Sequence, residues 1–299
     1  IIETQMSEGT GTNSLMQQIS DMMGVNRQGG NVYKNSSCVL PINDIRGIEA
    51  MSYGKGEKIL RCKLAAVYRL IDLCGWNQGT TTLITARLNQ EEEHFLVSPY
   101  GMLYHEITAS SLIKVDMQAN VVEQGTTNFS VNISAFSLHG AIHAARPDIK
   151  CIIHLHTPSV VAISATKQGI LPISQESVVI GEVSTHQFLG GGMIDPEEKD
   201  KLARNLGPNN KVLMLTNQGV LCCGETIEEA FFNARNIILA CEAQLKLLPI
   251  GLDNIILLNE ETRKRIYEAA HKAPESTPKP DKPTILEGKL ERKWRVGGI

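Results

Sequence analysis

The run Cys151-Ile-Ile-His-Leu-His-Thr-Pro158 constrains the fold of this chain more than any other stretch. An apolar run carrying two imidazoles and closed by Thr-Pro reads as a strand buried inside a sheet. Residues i and i+2 of a strand share a face, with Cα atoms roughly 6–7 Å apart. His154 and His156 therefore present their ring nitrogens together, as two ligands of one metal ion do. Such a strand needs helices above and below its sheet, and a chain of 299 residues that is 42% hydrophobic has the material for that core.

Charge and cysteine usage narrow the setting. The formal net charge is −3 and no block of one sign dominates the middle of the chain, so nothing in the overall field favours nucleic acid or a membrane surface. Cys38, Cys62, Cys74, Cys151, Cys222, Cys223 and Cys241 are odd in number, scattered and mostly set in apolar segments. That is the usage of buried free thiols in a reducing cytosol, not of a disulfide framework. No apolar run reaches the roughly 18 residues of a membrane span, and no signal peptide pattern is present, so no membrane insertion is expected. The chain opens on Ile1 without Met and stops at Ile299, which reads as a piece of a longer protein.

Three regions are expected. Residues 1–55 form a partly flexible arm with a short helix around Ser14–Met23. Residues 56–252 form the main domain. It opens with an amphipathic helix from Gly56 to near Gly75, read from Ile59, Leu60, Leu64, Val67 and Ile71. Strands follow at 80–88, 94–98 and 112–116, then a helix over 134–145 that leads into the strand with the two histidines. Next come a helix over 159–167, a strand near 177–180 and a helix after Asp195-Pro196, an N-cap with proline at the first helical position. Strands at 211–215 and 220–223 and a long helix over 227–248 complete the pattern. Residues 253–299 form an extension whose Pro274–Pro283 run is too polar and proline-rich to build a core. Helices alternating with short strands indicate an α/β domain with a sheet covered on both faces.

Several separated motifs then agree in order. Arg146-Pro-Asp leads into the HxH strand, Gly219-Val-Leu follows a later strand, and Glu225-Thr-Ile-Glu-Glu-Ala-Phe opens the long helix. Over residues 57–250 this pattern resembles the class II aldolase and adducin family. Phe95-Leu-Val-Ser-Pro-Tyr-Gly, Glu106-Ile-Thr-Ala-Ser-Ser-Leu-Ile-Lys-Val, Leu206-Gly-Pro, Ala240-Cys-Glu-Ala-Gln and the terminal Lys293-Trp-Arg-Val-Gly-Gly resemble its adducin branch. The resemblance implies a three-layer α/β/α sandwich with a central, predominantly antiparallel sheet.

The family's aldolases hold zinc with an HxH pair and a third histidine just before a glycine, and use a helix-start glutamate as acid/base. Carried over by position, His154 and His156 keep the pair, Gln218 stands before Gly219 where the third histidine would be, and Ala135 stands at the glutamate's place. A carboxamide is a weak donor to zinc, and a methyl moves no proton. Loss of a general base alone costs about 10²- to 10⁴-fold in rate. The phosphate-cradling turn is reduced to Trp76-Asn-Gln-Gly-Thr-Thr-Thr82. The resemblance thus implies a pseudoenzyme with no catalytic residue, metal or cofactor, and His154 and His156 as a relic or weak site.

By the same resemblance, the chain is expected to self-associate as a homo- or hetero-oligomer, a dimer or tetramer. It would act with actin and spectrin in the cytoskeleton at the cytoplasmic face of the plasma membrane. Calmodulin would bind through a tail outside this chain. The competing reading is a zinc-dependent aldolase or epimerase acting on a phosphorylated sugar, with a site rearranged around His139 or His186.

His139 and His143, four apart on a helix, are expected as ordinary helix surface or packing, His186 on a loop near Gly190–Gly192, and Glu176 and Glu182 as strand-end charges. Ser98 and Thr108 read as turn and cap residues. Adjacent Cys222 and Cys223 must point to opposite faces. Lys289, Arg292, Lys293 and Arg295 read as a solvated linker end.

Overall fold

The computed structural model describes residues 40–47, 49–77, 79, 82–89, 92–187 and 195–272. The chain divides after Pro41, and the elements below all belong to Ile42–Ile299. The expected arm helix around Ser14–Met23, the Pro274–Pro283 linker and the basic residues from Lys289 to Arg295 lie outside the described residues.

Helix α1 (Lys55–Leu73) follows from its apolar stripe, with Leu64, Ala65, Val67, Tyr68 and Ile71 buried. Strands β1 (Ile84–Arg87), β2 (Phe95–Val97), β3 (Ile113–Val115) and β4 (Val121–Glu123) form an antiparallel run. Helix α2 (Ile133–Ala145) is capped by Asn132, whose side chain accepts from the Ala135 N–H. It delivers the chain to β5 (Cys151–Leu155), every residue of which is buried. Helices α3 (Pro158–Ser164) and α4 (Gln175–Val179), strand β6 (Val183–His186), helix α5 (Pro196–Leu206), strands β7 (Val212–Leu215) and β8 (Gly219–Gly224), and helices α6 (Ile227–Leu247) and α7 (Glu260–His271) complete the domain.

The eight strands form one sheet in the order β4-β3-β2-β1-β5-β8-β7-β6. All neighbours are antiparallel except β6 and β7. Strand alternation divides the core between two faces. Ile84, Ala86, Cys151, Ile153, Leu155, Val220 and Cys222 pack with α1, α3 and α6. On the opposite face, Ile152, Leu213, Leu221 and Cys223 meet α2 and α5. Cys222 and Cys223 are thus on opposite sides of the sheet. The six cysteines among the described residues are free thiols. The result is the three-layer α/β/α sandwich with a predominantly antiparallel sheet that the sequence implies.

Two local expectations change. The run 177–180 is not a strand: Gln175–Val179 is helical, with Ser174 accepting from the Ser177 N–H and Gly181 ending the turn at φ +76°. Three consecutive apolar residues do not distinguish strand from buried helix, and the Ser174 cap decides the matter. Strand β6, β4 and helix α7 were not anticipated. Their exposed or mixed faces carry too few apolar residues to show a period, as with Val121 and Val122, which are 46% and 49% exposed at the sheet edge.

Two buried polar clusters tie the layers. Arg61 of α1, fully buried, donates to Glu57 (2.9 Å), to the Leu112 carbonyl (2.7 Å) and to Glu123 (3.0 Å), and Lys114 bridges the same two glutamates at 3.0 and 2.9 Å. This latch fastens edge strand β4 to α1. On the other face, α2 presses His139 and His143 onto Thr85 of β1, whose Oγ1 lies 3.0 and 2.9 Å from them.

Two outcomes are expected. Arg61→Met leaves the carboxylates of Glu57 and Glu123 in a partly buried site with Lys114 as their one remaining cation there, and should lower stability by about 3 kcal/mol, read as a lower urea midpoint at unchanged m-value. An unchanged midpoint would refute the latch. Burial holds His139 down to about 3 and His143 well below its ordinary value, so both are neutral in the fold. The unfolded chain takes up their protons first. Stability should therefore be retained above pH 6.5 and fall below it, by up to about 1.4 kcal/mol per histidine per pH unit. Urea midpoints measured from pH 7.5 to 5 check this, and a flat profile would contradict it.

Candidate functional site

The end of β5 and the start of β8 meet where the two imidazoles lie. His154 is on β5, paired in register with Leu221, while His156 stands just beyond the strand's last residue. Gly219 makes the junction possible. A Cβ there would sit 2.3 Å from the Leu155 carbonyl oxygen, so only glycine lets β8 begin this close to β5. The preceding turn, with Asn217 at φ +61°, brings the Gln218 backbone into a hydrogen bond with His156. The two rings lie 4.3 Å apart between centroids. The HxH pair and the Gln-Gly turn, separated by more than sixty residues in sequence, are neighbours in space.

His154 faces α2, on the same side of the sheet as Ile152, and its ring is 5.9 Å from that of His139. The contacts of α2 settle the tautomers. His143 Nδ1 lies 3.1 Å from the Ile149 carbonyl oxygen, which only accepts, so that nitrogen carries the proton and Nε2 accepts from the Thr85 hydroxyl. Thr85 Oγ1 then accepts from His139 Nδ1–H, leaving His139 Nε2 as a lone pair. That atom has no hydrogen-bond partner. Neither has Nδ1 or Nε2 of His154, nor Oε1 of Gln218, although all are buried. Burial, with His156 and His139 nearby, pushes His154 well below the usual imidazole range. Burial lowers His156 as well, against its bond to the Gln218 backbone.

The site therefore offers neutral imidazoles and one carboxamide. Ala135 lies one turn before His139 on α2 and contributes only a methyl group. Among the described residues, no group of three or more His, Cys, Asp or Glu side chains is arranged to hold a metal ion. Two imidazoles with an amide do not match a zinc site with three strong protein ligands and an open position. No step through a metal follows from these residues.

The remaining candidates sit elsewhere. His186 is not on a loop: it is a buried residue of β6, 2.9 Å from Glu198 and 2.8 Å from Asn205 of α5. Two strands, β8 and β7, separate β6 from β5, a distance of roughly 14 Å at about 4.8 Å per strand, so His186 does not reach the HxH pair. Its partners on α5 hold it, a pairing that no sequence period announces. Glu176 belongs to helix α4 and not to a strand end, and Glu182 is exposed. Thr108 belongs to a tight turn in which its N–H donates to Ser111 Oγ at 3.0 Å. Asn77 accepts from the Gly79 N–H in the shortened glycine turn, of which Gln78, Thr80 and Thr81 are outside the described residues. Thr85 was missed altogether, because an isolated threonine in a strand carries no signal.

Comparison with known proteins places this geometry. The profile of the family described as Class II Aldolase and Adducin N-terminal domain matches residues 62–245. The chain is 57% identical over 280 residues to protein hu-li tai shao of Drosophila melanogaster, covering 93% of this chain and 24% of that protein. It is 45% identical to alpha-adducin of Rattus norvegicus, covering 99% of this chain and 42% of the relative. The chain thus spans less than half the length of these relatives. An aldolase II superfamily protein from Pseudomonas syringae has a crystal structure similar to this one. It shares 35% identity at a TM-score of 0.70, over 75% of this chain and 88% of that one. With the profile match over most of the sheet and helices that build the site, this chain belongs to the class II aldolase and adducin N-terminal domain family.

Proposed function

We propose that this chain is the non-catalytic head domain of an adducin-like membrane-cytoskeleton protein, one that self-associates and contributes to actin–spectrin network assembly. The observation that carries the reading is the donor set at the β5–β8 junction. His154 and His156 persist, while Gln218 and Ala135 occupy the places at which the family's aldolases have a third zinc ligand and an acid/base. The similarity to adducins supports the assembly role, and the intact three-layer core supports a scaffold whose outer surfaces carry its function. Symmetric association, as a dimer or tetramer, is the ordinary use of such surfaces. In this reading the domain works at the cytoplasmic face of the plasma membrane without inserting into it. Calmodulin would act through a tail outside this chain.

One observation favours a second reading, a zinc-dependent aldolase or epimerase: the lone pair of His139 Nε2, buried beside His154. Metal analysis separates the two. After dialysis against buffer, the scaffold reading expects a folded, metal-free oligomer, whereas stoichiometric retained zinc supports the enzyme. Gln218→His should raise zinc affinity by supplying a third strong ligand, and Ala135→Glu alone should not. Analytical ultracentrifugation should give a dimer or larger species, and cosedimentation with actin and spectrin should enrich the chain in the pellet. A monomer that stays in the supernatant with both would sink the assembly role.

A further inference from the structure

A groove of about 640 Å³ opens at the other end of the sheet from His154. Lys211 precedes β7, Glu225 follows β8, and Cys151 at the start of β5 pairs with Gly224, so this groove and the histidines lie at opposite ends of the same strands. One wall is α7 and the other is the turn after α4 with the start of α6.

Two properties define what the groove can hold. The first is an aromatic surface. Tyr267 sits over Gly181, where a Cβ would come within 3.1 Å of its ring, and it stacks on His271 with centroids 4.1 Å apart. The second is charge. Glu182, Glu225, Glu229 and Glu260 line the groove against three cations. Lys211 is already shared among Asp148, Glu225 and Glu229 at 3.5, 3.2 and 3.8 Å, and Arg263 lies 3.7 Å from Glu182. Lys264, also in the lining, lies 4.0 Å from Glu268 with its side chain 77% exposed. A basic segment carrying an aromatic ring fits such walls.

The chain contains one. Lys289-Leu-Glu-Arg-Lys-Trp-Arg295 has four cations, one acid and a tryptophan. Helix α7 ends at His271, which is itself part of the groove wall. The seventeen residues between His271 and Lys289 can extend to about 55–60 Å at roughly 3.3–3.6 Å each, ample to turn back. A tether of this kind supplies its segment at an effective concentration in the mM range, well above that of a second copy in dilute solution.

We propose that the groove seats the chain's own 289–295 stretch, with Trp294 against the Tyr267–His271 stack and the neighbouring cations against Glu182 and Glu225. The inference is independent of the assembly role. It gives the basic stretch an acidic seat within the same chain, with which an acidic partner would have to compete.

The chain has two tryptophans, Trp76 and Trp294, so Trp76→Phe leaves Trp294 as sole reporter. If that variant does not fold, the difference in emission between the parent and Trp294→Phe gives the same reading. Relative to a free peptide of residues 286–299, Trp294 should emit at shorter wavelength and resist acrylamide quenching, independently of protein concentration. The protection should be lost in Glu182→Lys/Glu225→Lys and in Arg292→Glu/Lys293→Glu, and recovered when the two reversals are combined. Emission matching the free peptide would overturn the proposal, as would indifference to both reversals. Protection that rises with protein concentration would overturn it in favour of a second copy as occupant.

Discussion

Every layer of this domain is positioned by β5, which is hydrogen-bonded along both edges and covered on both faces. Its ladder with β8 runs from Cys151–Gly224 to Leu155–Val220, and its ladder with β1 runs from Ile84–Ile153 to Ala86–Cys151. A strand so enclosed has no freedom to slip, because a shift by one residue would turn His154 into the layer of α1 and α6 and carry Ile153 away from it. Gly219 is the condition for this arrangement, since any side chain there collides with the Leu155 carbonyl. The same close approach sets the Gln218 turn against His156. Fold and candidate site are two consequences of one packed junction.

That coupling does not extend to every side chain near the junction. Gln218 lies in the turn before β8 and Ala135 in the first turn of α2, both outside the ladders, so their side chains can change without disturbing strand register. The imidazoles are more deeply set. His154 is enclosed by β5 and α2, and His139 is fixed through Thr85 and His143 to the Ile149 carbonyl. Their buried nitrogens without partners are a local cost, since an unpaired polar group removed from water destabilises by about 1–3 kcal/mol. The surrounding apolar layers are extensive enough to carry it.

The two ends of the sheet differ in character. At the β5–β8 junction the groups are neutral and buried, which suits tight packing. At the opposite end, glutamates, lysines and arginine line an open groove beside α7, with an aromatic stack between them. Charged, accessible surfaces of this kind govern encounter and partner choice more than stability. The Arg61 latch at a third place, the β4 edge, shows the intermediate case, in which charges are desolvated and fully cross-linked by hydrogen bonds.

Sequence by itself determined the layered α/β class, the buried strand at 151–155, the long amphipathic and capped helices, and the family. Each rests on signals that are local in the chain: apolar period, the Asp195-Pro196 cap, and motifs in order. It also determined which residue types stand at 135, 154, 156 and 218. Only the tertiary structure decided that Ser174 would cap a helix over 175–179 where an apolar run suggested a strand. It alone buried His186 against Glu198 and Asn205, joined His139 and His143 through Thr85, and set α7 beside the 209–211 turn to make a groove. Those outcomes depend on contacts between residues tens of positions apart, whose free energies come from which surfaces meet, and no period along one strand or helix encodes that.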